Sequence, residues 1–265
     1  MQKLVDYRFS NLDIFLDEVR AWDLDFRLIK QGGFSGHLIQ VAYSDIFITY
    51  ARFMTDLHQM GSTPPGFRTF AIPGPRCQGF WWRNQQISSD CLMIFPSSNE
   101  LMSVSSEDFE VFTISLSHNY IDRISDQLDI QPKLVKEVIV LDHQRANELR
   151  SLAQRAIESG NALSNKYTQH NLAQKVLSCC TGDTKTTAIR KRKRDHAIMQ
   201  IIEYLASNPA EITDSSGLCR VANVSERTLQ YAFMERYGIP PNVFVKRWKL
   251  NSARRLLRLM APECG

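Results

Sequence analysis

No apolar run in this 265-residue chain approaches the roughly 20 residues that a membrane-spanning helix needs. The N-terminal stretch carries Asp6, Asp13, Asp17 and Glu18 where a secretion signal would have an apolar core. A cytoplasmic protein with no membrane partner is expected. The signatures of common catalysis are missing too: no nucleophile elbow, Walker loop, dinucleotide glycine pattern or paired zinc spacing occurs. The six cysteines, Cys77, Cys91, Cys179, Cys180, Cys219 and Cys264, are scattered, which in a cytoplasmic chain reads as free thiols. Acidic pairs such as Glu107-Asp108 fall in turn-like stretches. No catalytic residue, cofactor or metal site is expected, and the protein is read as no enzyme.

What is present is an uneven charge. Residues 1–184 hold 17 Lys+Arg against 21 Asp+Glu, a net of −4; residues 185–258 hold 15 against 6, a net of +9; Glu263 brings the sum to +4. A mildly acidic part thus precedes a basic part of the kind that binds polyanions.

From residue 24 to 117 short apolar-alternating runs recur, at 24–29, 37–43, 46–53, 67–72, 79–83, 91–95, 101–104 and 109–117. Gly, Pro, Asn, Ser and Asp punctuate them, which predicts an antiparallel sandwich or small barrel of jelly-roll type. A short helix around Leu12, Phe15, Leu16 and Val19, capped by Asn11 or Ser10, precedes it. Beyond residue 118 the apolar period becomes helical, with helices expected at 119–128, 142–159 and 166–180 and an extended piece at 134–141. The polar stretch 181–187 reads as a linker and runs into the basic residues 190–194. Asp195 then caps an expected helix over 196–207.

The segment 215–257 carries the sharpest local signals. Asp214 or Ser215 can cap a helix over 215–222, Asn223 suits a left-handed turn, Ser225 caps a second helix over 226–237, and Gly238 ends it. Leu218, Val224, Leu229 and Phe233 can meet between the two helices, with small Cys219 and Ala232 allowing close approach. Glu226, Arg227, Gln230, Tyr231 and Met234 then face outward, as in a helix laid into a DNA major groove. After Pro240-Pro241, a helix over 242–259 is expected, with an apolar stripe of Phe244, Trp248, Ala253 and Leu256 or Leu257.

The runs LCRVANVSERTLQYAF (218–233) and RYGIPPNVFVKRWKLNSARRLL (236–257) resemble the first helix-turn-helix and linking helix of the AraC/XylS transcription regulators. The resemblance implies a cupin-like sensor or dimerisation domain at the N-terminus and a DNA-binding domain at the C-terminus. In that family a second helix-turn-helix follows the linking helix; it is expected to be absent here, since the sequence stops shortly after residue 257. A metal-binding cupin would need a His-x-His pair with a later Glu and His. Only isolated His37, His58 and His118 are available, so a metal-free barrel is expected.

The expected class is therefore α+β, an antiparallel jelly-roll, cupin-like barrel with flanking helices, joined to an all-α helix-turn-helix domain. Its parts are a sensor and dimerisation domain over 1–180 (barrel 24–117, helices 118–180), a basic linker over 181–195, and a truncated DNA-binding domain over 196–265. Arg227, Gln230, Tyr231 and Glu226 are the expected base readers. Ser225, Thr228, Lys191, Arg192, Lys193, Arg194, Lys246, Arg247 and Lys249 are the expected phosphate contacts. Arg76, Trp81, Trp82 and Arg83 are candidate lining for a small-molecule effector pocket, although the aromatics read equally as core and rim. A homodimer is expected through the amphipathic helices between 142 and 180, which read equally as packing on the barrel alone. The competing functions are a sensor acting through protein contacts and a metal-free cupin enzyme.

Overall fold

The computed structural model describes residues 2–77, 79–83, 85–96, 98, 100–135, 137–158, 162–181, 193–209, 211 and 214–260. Lys191 and Arg192 lie outside them, as does most of the expected linker. The chain divides into two compact units, residues 1–26 with 32–188 and residues 27–31 with 189–265.

Among the described residues the first unit is built on twelve strands in two sheets. One sheet has the order β1 (Gln2–Phe9), β3 (Gly36–Ala42), β4 (Ile46–Phe53), β11 (Phe109–Ser117), β6 (Phe67–Pro73), β9 (Cys91–Ile94), β12 (Val138–Val140). The other has the order β2 (Asp23–Leu28), β5 (Leu57–Ser62), β10 (Glu100–Ser105), β7 (Phe80–Trp82), β8 (Gln85–Ile87). Long antiparallel registers tie β11 to β4 from Phe109↔Phe53 to Leu116↔Ile46, and to β6 from Val111↔Pro73 to Ser117↔Phe67.

The central strands of the larger sheet are buried on both faces, and the period of two explains how. Leu38, Gln40, Ala51, Phe53, Ala71, Met93, Val111 and Thr113 point to the space between the sheets. Their neighbours Val41, Ile46, Ile48, Phe70, Ile72, Leu92, Ile114 and Leu116 form a second core with the helices. Those helices are α2 (His118–Leu128), α3 (His143–Glu158) and α4 (Ala162–Cys179). The inter-sheet core is aromatic: Phe15, on the short helix α1 (Leu12–Glu18), has the rings of Phe9, Phe26, Phe34 and Phe53 at 5.3–5.9 Å. Asn11 caps α1, accepting from the Asp13 and Ile14 amides.

Three expectations change here. The barrel does not begin at residue 24: β1 precedes α1 and pairs with β3. Asp6, Tyr7 and Arg8 are all exposed between buried Val5 and Phe9, so no clean alternation marks the strand. β5 and β8 are strands that the expected apolar runs omit. In β5 the turn-like Gly61 sits at φ +144°, and a Cβ there would lie 2.0 Å from the Asp23 carbonyl oxygen. Glycine is thus required by the close approach of β2. Finally, the apolar stripes of α3 and α4 are already covered. Leu149, Leu152, Ala153, Ala156 and Ile157 on α3, with Leu172, Val176 and Leu177 on α4, are all buried in the core shared with the larger sheet. Their outward side is polar, with Lys175 donating to Glu148 at 3.2 Å. The reason for expecting a dimer through these helices is thereby removed.

The second unit is four helices among the described residues: α5 (Lys193–Ser207), α6 (Ser215–Ala222), α7 (Glu226–Tyr237) and α8 (Pro241–Met260). Ile198, Ile201, Ile202 and Leu205 of α5 are buried, as are Leu218, Leu229, Ala232, Phe233, Phe244 and Trp248. A ring ladder of Phe233, Tyr237, Phe244 and Trp248, with neighbouring centres 4.4–5.8 Å apart, joins α7 to α8. Residues 27–31 group with this unit. The Arg27 guanidinium lies 3.7 Å from the Trp248 ring centre and donates to Ser252 Oγ at 2.8 Å.

Two expectations are corrected in this unit. Asp195 does not cap α5, which begins at Lys193; Asp195 is buried inside the first turn and accepts from Arg236 at 3.0 Å. The apolar stripe of α8 is buried only in its first half. Phe244, Val245 and Trp248 are covered, whereas Ala253, Leu256 and Leu257 are exposed together with Leu250 and Met260.

Candidate nucleic-acid interface

The turn between α6 and α7 is fixed by local chemistry. Asp214 Oδ1 accepts from the Gly217 amide at 2.7 Å and from Ser216 Oγ at 2.9 Å. These bonds hold the Asp214 carboxyl below its ordinary pKa. Asn223 closes α6 in the left-handed region at φ 48°, ψ 48°, and its amide bonds back to Arg220 O. Ser225 caps α7 by accepting from the Thr228 amide at 3.3 Å, and Gly238 ends it at φ 65°. We expect Asn223→Leu to lower the unit's stability by about 1–2 kcal/mol, the cost of a left-handed backbone for a branched residue. Asn223→Gly should leave it nearly unchanged. Equal losses in denaturant unfolding of the two variants would show that the side chain, not the backbone, matters.

With its inner side held by Leu229, Ala232, Phe233 and Tyr237, α7 presents the opposite side outward. Glu226 and Arg227 are exposed, Gln230 is half-buried, and Tyr231 and Met234 are 57% and 48% exposed. Arg227 and Tyr231 are one turn apart. The guanidinium donates to the Tyr231 hydroxyl at 3.4 Å, with its carbon 5.5 Å from the ring centre. This contact holds the Arg227 fork over the outward face. Ser225 and Thr228 sit at the N-terminus of α7, their hydroxyls 2.9 Å apart, where backbone N–H groups favour an anion. Glu226 is an acid in the same turn, so the end is not uniformly basic.

The other expected phosphate contacts are placed less uniformly. Lys193 is exposed in the first turn of α5. Arg194 is paired instead with Glu235, 3.1 Å away. Lys246 is exposed on α8, Arg247 donates to Gln31 at 3.4 Å, and Lys249 donates to the Glu211 carbonyl. α8 carries no acid along its length, and Arg254, Arg255 and Arg258 extend its basic character.

The buried Asp195–Arg236 pair, unforeseen in the sequence, is what holds α5 against the end of α7. Both side chains are buried, 7% and 2% exposed. Burial pushes the Arg236 pKa below the ordinary guanidinium range despite the carboxylate beside it. The C-terminal turn of α7 is therefore anchored at its centre by Arg236 and Tyr237, the latter wholly buried with its phenol pushed up by desolvation.

In the first unit the four candidate effector-pocket residues do not converge. Trp82 is buried and lines the inter-sheet cavity, but Arg76, Trp81 and Arg83 do not. Strand alternation turns Trp81 to the other face of β7. Arg83, at φ 52°, reaches Glu137 at 3.5 Å and Glu100 at 3.7 Å. Arg76 is exposed in the turn after β6. Among the described residues no group of three or more His, Cys, Asp or Glu side chains is placed to hold a metal, and no helix is long and apolar enough to cross a membrane.

No protein-family model matches the chain. Among solved structures it is similar to that of the AraC-like transcriptional activator CuxR, at 13% identity over 97% of this chain and 96% of that one, with a TM-score of 0.48. It is also similar to ToxT from Vibrio cholerae O395, at 12% identity over 92% of this chain and 85% of that one, with a TM-score of 0.26. Likenesses this distant carry no weight for function, which rests on the residues and geometry described above.

Proposed function

We propose that this chain is a sequence-specific DNA-binding transcription regulator of the AraC/XylS type, acting in the cytoplasm. The observation that carries the reading is the outward face of α7. A capped helix, rigidly anchored on its inner side, presents Arg227, Gln230 and Tyr231 together on the side that is free. An arginine fork suits guanine O6 and N7, a glutamine amide suits adenine N6 and N7, and a tyrosine suits a thymine methyl or a phosphate. Ser225, Thr228, Lys193, Lys246 and Lys249 would set the register on phosphates, with Lys191 and Arg192 adding charge before α5. Arg194, Arg247 and Lys249 contribute only after leaving their present partners. The N-terminal unit would supply an effector response. A homodimer is not carried forward from α3 and α4, whose apolar faces are spent on the barrel.

The expected mark of phosphate binding is a linear fall of log affinity with log salt, with a slope of about −0.9 per phosphate neutralised. Replacing residues 191–194 by serine should weaken binding to every duplex alike and flatten that slope. An affinity independent of salt would contradict the reading, and an unchanged slope in the variant would remove the basic run from the interface.

A second reading has its own observation. Leu250, Leu256, Leu257 and Met260 on α8 are exposed, Leu257 by 69%, which favours protein contacts for that half of the helix. A chain that acted by protein contacts alone would bind no duplex at any salt concentration.

A further inference from the structure

The space between the two sheets is not completely filled. It leaves a cavity of about 60 Å³ walled by aromatic and aliphatic side chains. Four of its polar residues are mutually satisfied: Gln40 donates to Thr49 Oγ1 at 3.3 Å, and Gln59 accepts from Ser103 Oγ at 3.0 Å. Three further lining residues, Trp22, Trp82 and Thr113, keep a buried polar atom with no partner among the described residues: both indole Nε1 atoms and the Thr113 hydroxyl. The two indoles pack on one ring, Phe95, at 5.8 and 4.5 Å between centres. A buried donor left unsatisfied is costly and calls for an explanation.

We propose that this cavity is a binding site for a small neutral molecule carrying one acceptor oxygen, such as a ketone, aldehyde or ester carbonyl. This deepens the effector reading given above by naming a ligand class and the residues that hold it. Indole N–H groups only donate, and a carbonyl oxygen with two lone pairs can accept from both. The apolar remainder of such a molecule matches the ring walls. A buried water, which takes about three hydrogen bonds, is the competing occupant, and the test below separates it from an organic ligand. No charged side chain is among the lining residues, so a carboxylate would enter without a counter-charge at high desolvation cost. Size limits the ligand as well. An apolar cavity of roughly 150 Å³ takes benzene, so the present space suits about three or four non-hydrogen atoms before the walls move.

The test uses the full chain labelled with ¹⁵N, whose four tryptophans give four indole N–H signals, assigned by single Trp→Phe variants. Acetone, acetate and xenon serve as probes of similar size. Acetone is expected to shift the Trp22 and Trp82 signals saturably and downfield while leaving those of Trp81 and Trp248 in place. Acetate should shift neither, and xenon should enter without the downfield shift. Trp82→Phe, and independently Trp22→Phe, should weaken acetone binding by about two- to tenfold, the worth of one hydrogen bond. Trp22 and Trp82 signals that do not respond to acetone, that respond equally to acetate, or that show contact with bound water only would each overturn the proposal. Saturable acetone binding that leaves DNA affinity unchanged upholds the ligand site and removes the effector reading instead.

Discussion

With Asp195 replaced by alanine, the unit containing α5–α8 is expected to lose about 3–5 kcal/mol of stability, the cost of leaving one member of a buried ion pair without the other. The pair spans from the first turn of α5 to the last turn of α7 with a 3.0 Å bond, and both side chains are withdrawn from water. The Arg236 guanidinium stays withdrawn from water when the carboxylate is gone. The nearby Arg194–Glu235 pair supplies the control. It joins the same two helices at 3.1 Å but is about one-third exposed on both sides, so Arg194→Ala should cost no more than about 1 kcal/mol. The double replacement Asp195→Leu with Arg236→Met should recover much of the loss, since a well-packed apolar pair often equals a buried ionic one. Hydrogen exchange of the α7 amides, read alongside denaturant unfolding, reports this unit specifically. A loss below about 1 kcal/mol for Asp195→Ala would mean that water already reaches the pair.

The second large effect concerns base reading. Arg227→Ala and Gln230→Ala are each expected to lower affinity for the preferred duplex by about 1–3 kcal/mol, with little loss on unrelated duplexes. Arg227→Lys is informative because it keeps the charge but loses the planar fork. It should retain unspecific binding and still lose preference at one base position. Tyr231→Phe removes the hydroxyl that accepts from Arg227 and should give a smaller loss of the same kind. Competition titrations against preferred and scrambled duplexes separate the two contributions. Equal loss on both would place Arg227 and Gln230 on phosphate, or away from DNA altogether.

The parts of this molecule that could be read from sequence are those set by neighbours along the chain. Asp214, Asn223, Ser225 and Gly238 each act within four residues of their own position, and all four cap or end a helix as their chemistry dictates. The outward face of α7 followed from the 3.6-residue period, and the alternating strands β3, β4, β6 and β11 from the period of two. What escaped was set by distant partners. Asp195 looks like an N-cap, and only the approach of Arg236, 41 residues on, makes it a buried ion. β1 is disguised by the exposed Asp6, Tyr7 and Arg8, and β5 by a glycine that is there because β2 passes too close for a side chain.

The four candidate pocket residues were dispersed for a related reason. Arg76, Trp81, Trp82 and Arg83 are close in sequence, but alternation along β7 and the left-handed turn at Arg83 send them to different places. The residues that do surround the cavity come from both sheets and from α1, at separations no local pattern records. The apolar stripes of α3 and α4 were correctly located, yet their partner is the larger sheet of the same chain. Burial against the chain's own barrel and burial against a second copy have one and the same sequence signature.

The central claim, that α7 reads DNA bases, is tested most directly by selection from a library of randomised duplexes with the full chain at physiological salt, followed by titration of the enriched and a scrambled duplex. The account predicts a short enriched motif bound at least about 10³-fold more tightly than the scrambled sequence, with that ratio reduced by Arg227→Ala. Enrichment of no motif, or equal affinity for both duplexes, would contradict it.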